Sequence, residues 1–116
     1  MPYIKGKYRV CLDPLLIALL KEIKALARQQ AREIKQAAAG GDYISEPSEA
    51  EVLMAASGMF NYAITSLAVS LTGKPNYAKC ALIRAVLADA SDEFYRRLVA
   101  PYEDRKAEEN GDVYPA

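Results

Sequence analysis

The sequence predicts an all-α fold: a bundle of three long helices plus a short charged C-terminal helix, paired into a dimer. Three observations carry that expectation. Alanine fills 20 of 116 positions while Val, Ile and Thr together fill 15, a balance that favours helix over strand. Apolar residues recur at spacings of three and four over two long stretches, and turn residues at Gly40-Gly41, Gly73-Lys74-Pro75 and Asn110-Gly111 divide the chain. At this length roughly two-thirds of the unfolded surface can be buried, so residues 1–116 are read as one helical domain.

The first helix is expected over residues 13–39. Asp13 offers a capping carboxylate and Pro14 suits the first helical position, where no N–H is needed. Leu16, Leu19, Ile23, Leu26, Gln30 and Ile34 define one face, and Gly40-Gly41 stops the helix. Residues 42–47 read as a loop. Ser48-Glu49-Ala50-Glu51 fits a capping box and opens a second helix over 48–72, which Gly73 and Pro75 close. From Val52 to Gly73 no residue is charged, a length that could cross a membrane. The polar residues Ser57, Asn61, Thr65, Ser66, Ser70 and Thr72, with many alanines, point instead to a covered helix in a soluble, cytoplasmic protein with no membrane partner. One side of each helix in a bare three-helix bundle faces water, so an uncharged helix calls for a further cover, and a second copy of the chain is the economical one. Met59, Asn61, Ala63 and Leu67 are the residues assigned to that self-association, with Asn61 meeting either its symmetry mate or a backbone carbonyl.

Asn76 caps a third helix over 76–100 whose face comprises Ile83, Val86, Leu87, Ala90, Phe94 and Leu98. Pro101 breaks or kinks it, and a fourth, highly charged helix follows over 102–109. The terminal segments Pro2-Tyr3-Ile4 and Asp112–Ala116 read as extended and short enough to lie side by side.

The absence of His removes Ser-His-Asp and Cys-His mechanisms and the HExxH zinc motif. Cys11 and Cys80 form no CxxC and read as buried free thiols in a reducing cytosol, with a Cys11–Cys80 disulfide as the alternative. No glycine-rich phosphate loop is present, and no cofactor or metal site is expected. Net charge is zero but uneven: residues 1–40 carry eight basic and three acidic side chains, residues 41–116 seven basic and twelve acidic. Lys21, Lys24, Arg28, Arg32 and Lys35 fall within about 80° of arc on the first helix. That stripe either pairs with acids of the third or fourth helix or binds an anion such as a nucleic-acid backbone. Acids also gather at Asp89, Asp92 and Glu93, and at Glu103, Asp104, Glu108, Glu109 and Asp112, where clustered carboxylates could hold Mg²⁺. The string Glu108-Glu109-Asn110-Gly111-Asp112-Val113 resembles the acidic motif of MazG-type nucleotide pyrophosphohydrolases. It departs from that motif because Asn-Gly should end the helix and the second helix has no acids beyond its first turn.

Met1-Pro2-Tyr3-Ile4, Asn61-Tyr62-Ala63-Ile64-Thr65 and the run Tyr95-Arg96-Arg97 through Pro101-Tyr102-Glu103-Asp104 to Glu109-Asn110-Gly111-Asp112-Val113-Tyr114 resemble a family of small uncharacterised bacterial and phage-associated proteins. The resemblance implies that both terminal strings belong to the folded domain, and it carries over no catalytic residue. The function expected from the residues is a non-enzymatic structural or interaction module that self-associates through the second helix. Nucleic-acid binding by the basic stripe and Mg²⁺-dependent nucleotide hydrolysis are the alternatives.

Overall fold

The computed structural model describes residues 2–115 and is all-helical, with no strand among them. Helix α1 spans Gly6–Ala39, α2 Glu49–Thr72 and α3 Tyr77–Phe94. A π-helical segment, Tyr95–Val99, joins α3 directly to α4, Ala100–Asn110, so that residues 77–110 form one 34-residue helix. The chain divides into two compact units, Ile4–Gly73 and residues 74–115 with residues 2 and 3.

Both departures from the expected boundaries occur at prolines. Pro14 lies inside α1 rather than at its start, and the helix begins seven residues earlier than Asp13. No turn residue interrupts Lys7–Leu12, so the helix propagates through them and tolerates a Val10 carbonyl that Pro14 cannot serve. Its first turn is tightened by Tyr8 and Arg9 N–H groups donating to the Lys5 carbonyl, because Lys5 offers no side-chain cap. At the other end, Pro101 does not break the chain into separate third and fourth helices. Its ring would collide with the Arg97 carbonyl of a regular α-helix. The widened turn relieves this: the Ala100 N–H reaches five residues back to the Tyr95 carbonyl, and the helix runs on to Asn110.

In the unit Ile4–Gly73, α1 and α2 form a helical hairpin. Gly40, at φ 60, ends α1 in the left-handed conformation that glycine adopts without penalty. Ser48 then caps α2 reciprocally: its hydroxyl accepts from the Glu51 N–H at 3.1 Å while Glu51 Oε1 accepts from the Ser48 N–H at 3.0 Å. Ala27 and Ala31, one turn apart on α1, are the buried apolar residues, and their small side chains let the two helices approach closely. A hairpin encloses little more than that seam, so Leu19, Leu26, Met54, Phe60 and Leu67 remain exposed on its flanks.

In the second unit, Asn76 Oδ1 accepts from the Lys79 N–H at 2.9 Å and starts α3. The Tyr3 hydroxyl donates to Glu93 Oε2 at 2.7 Å, and Arg96 pairs with the same carboxylate at 2.9 Å. Tyr3 is thereby tied to α3, and in the C-terminal tail the Tyr114 N–H folds back onto Asp112 Oδ1 at 2.9 Å. Cys11 and Cys80 are free but exposed, correcting the expectation of buried thiols. Cys11 sits on the solvated early turns of α1, and the unit holding Cys80 buries no side chain fully among its described residues.

Candidate self-association surface

Along one flank of the hairpin, α1 and α2 diverge into an open groove of about 1120 Å³. From α1 it is lined by Leu19, Ile23, Leu26, Gln30 and Ile34, five of the six residues that the helical spacing assigns to one face. From α2 come Met54, Gly58, Met59, Tyr62, Ala63 and Leu67. Three of the four residues expected to mediate self-association, Met59, Ala63 and Leu67, thus line the groove. Asn61 lies outside it because it is about 200° of arc from Met59, whereas Ala63 and Leu67 fall within about 80°. Its side-chain oxygen accepts from Thr65 Oγ1 at 3.1 Å on its own helix. Met54, Gly58 and Tyr62, spaced by four, also line the groove; sequence reasoning misses them although their periodicity is plain.

Gly58 is unusual among the lining residues. It stands inside α2, where glycine is costly relative to alanine, yet a Cβ built on it meets nothing within 4 Å. The hairpin itself therefore gives no steric reason for glycine at that position. Helix α2 as a whole has a mean hydropathy of 1.5 over its most apolar 18 residues, and none of that window is buried. By length and composition it is able to cross a membrane.

The basic stripe occupies the opposite flank of α1. Arg32 pairs with Glu46 at 2.8 Å, and Lys35 with Glu51 at 3.3 Å and with the Ser45 hydroxyl at 3.1 Å. The acidic partners of Arg32 and Lys35 come from the interhelical loop and the start of α2. The hydrogen bond from Arg32, reinforced by its charge and by Arg28 and Lys35, holds the Glu46 carboxyl below the usual glutamate range. Glu51 is lowered as well, first by the Ser48 backbone N–H, then by the Ser48 hydroxyl and Lys35. Lys21, Lys24 and Arg28 form no ion pair among the described residues.

The acids of the second unit are dispersed. Arg96 and then Tyr3 lower Glu93, and Glu93 in turn raises the Arg96 guanidinium above its ordinary value. Glu109 pairs with Lys106 at 3.0 Å in the last turn of α4, which Gly111 ends at φ 90. No three Asp, Glu or Cys side chains converge as metal ligands among the described residues.

A family profile described as Domain of unknown function (DUF6899) matches residues 1–113. No curated protein and no solved structure shows a significant match.

Proposed function

The chain belongs to the DUF6899 family, and we propose that it serves as a non-enzymatic helical interaction module that self-associates through α2. The observation that carries this reading is the apolar groove beside an α2 that has no charged residue from Val52 to Thr72. A solvated two-helix hairpin leaves such a surface in water at a cost of about 25 cal/mol for each Å² of apolar area, so association that covers it is favoured. A cytoplasmic location accords with the free, exposed thiols, which a reducing compartment preserves.

Light scattering coupled to size exclusion, at several protein concentrations and two salt levels, tests the proposal. A salt-resistant dimer is expected, and Ala63→Lys or Leu67→Lys should shift it to monomer with the helical circular-dichroism signal retained. A wild-type chain that is monomeric at every concentration overturns it, as does a lysine variant that dimerises normally.

A second reading draws on Lys21, Lys24 and Arg28, which form no ion pair among the described residues. These three cations lie within two turns and would engage phosphates of a nucleic-acid backbone with a salt-dependent affinity. Charge reversal at Lys24 and Arg28 separates this reading from the first, because neither residue lines the groove.

A further inference from the structure

We infer that the groove of the α1–α2 hairpin receives the apolar stripe of α3 from a second copy of this chain, so that two copies exchange helices. The inference rests on the self-association proposed above and adds which segment meets which surface.

Dimensions match first. On α1 the groove runs from Leu19 to Ile34, and the stripe runs from Ile83 on α3 to Leu98 in the π-helical segment that continues it, each spanning fifteen residues or roughly 20 Å of helix. The stripe is as unprovided for as the groove: Val86, Leu87, Phe94 and Leu98 are 42–59% exposed. A lone helix with such a face gains its stability from packing rather than from propensity.

Area is the second argument. The apolar wall of the groove and the half-exposed side chains of the stripe together present on the order of 650 Å². Reciprocal exchange in a two-fold dimer covers this twice, about 1,300 Å², within the ~1,200–2,000 Å² of specific, stable interfaces.

Charge and shape agree with that occupant. On the α1 wall the groove is lined by Glu22, with Glu33 on the same side of the helix, while Lys79 is the charged residue nearest the centre of the α3 stripe; Glu93 and Arg84 lie at its two edges, Glu93 already paired with Arg96, and Asp89 and Asp92 lie more than about 120° from its centre. Gly58 leaves open space on the α2 wall, where a third helix would need close approach. The connecting residues Gly73-Lys74-Pro75-Asn76 include a proline that favours extended backbone at Lys74, and such a connection lets identical elements exchange between copies at little cost.

The test uses the full chain with Cys11 and Cys80 replaced by serine, in two differently tagged forms that are co-expressed. One carries Met59→Cys, midway along the groove, and the other Ala90→Cys, midway along the stripe. A short bismaleimide should link the two tags at least tenfold more than when Asp92→Cys replaces Ala90→Cys. Midpoint placement makes the result independent of the direction in which the helix enters. A dimer that links only Met59→Cys to itself shows hairpin packed on hairpin, which overturns the helix exchange and leaves self-association standing. Linking that occurs only when both cysteines are on one chain also overturns the exchange. A monomer by light scattering removes the self-association reading itself.

Discussion

Replacing Gly58 by leucine separates the stability of the chain from its association, because the two should move in opposite directions. Within the hairpin a Cβ at this position meets nothing within 4 Å and opens on the groove, and α2 exchanges a poor helix former for a good one, worth about 0.8 kcal/mol per chain. In a dimer whose groove is filled, the same side chain intrudes on packed atoms. Overpacking costs about 1–3 kcal/mol, and a two-fold assembly incurs it twice, so the dissociation constant should rise by roughly 30-fold to 10⁴-fold. Sedimentation velocity over a concentration series reads the association, and thermal melting below the dissociation constant reads the isolated chain. A variant that dimerises as tightly as the parent would refute the reasoning, since it would show that nothing approaches α2 at this point. Loss of helicity in the monomer would refute the other half, the claim that the hairpin has room for the side chain.

Further outcomes can be measured alongside. Ser48→Ala removes a reciprocal cap and should cost about 1 kcal/mol in urea unfolding at fixed protein concentration. Glu46, Glu51 and Glu93 have carboxyls lowered in the folded chain, so in acid the unfolded state binds more protons; stability should be complete above the ordinary glutamate pKa of about 4.3 and decline as pH falls below it, in a chemical-denaturation series from pH 6 to 3. Lys24→Glu with Arg28→Glu should leave the dimer mass unchanged; fluorescence anisotropy of the parent chain with a labelled duplex at low salt should detect no binding, and binding with a steep salt slope that this variant loses would instead favour the phosphate-contact reading. Pro101→Ala restores an N–H and removes the ring that opposes regular helix, so amide chemical shifts across Tyr95–Val99 should move to ordinary α-helical values.

Periodicity makes the groove partly legible in the sequence. Leu19, Ile23, Leu26, Gln30 and Ile34 share a face by spacing alone, and the Ser48–Glu51 and Asn76 caps follow from short-range hydrogen bonding that any chain of this sequence can make. Prolines are harder to read because their effect depends on what surrounds them. Pro14 looks like a helix start when Asp13 precedes it, but a helix already propagating from Gly6 absorbs one missing donor. Pro101 looks like a stop until a widened turn accommodates its ring. The stripe's partners, Glu46 and Glu51, are not foreseeable from net charge by chain half, which says nothing of which carboxylates a hairpin loop folds back against α1. Polarity singles out Asn61 on α2, whereas its angle around the helix places it outside the groove.

The Tyr3–Glu93 hydrogen bond bears on the order in which this chain assembles. Ninety residues separate the two partners, and closing a loop of that length in an unfolded chain costs about 4 kcal/mol of entropy. One solvent-exposed hydrogen bond does not offset such a loss, whereas the caps at Ser48 and Asn76 span only three residues each. Helices therefore form first, and Tyr3 docks onto a surface already built. The same asymmetry holds on the way out: residues 2 and 3 release while every helix is intact, so a probe attached there reports a local opening and stays silent on global unfolding.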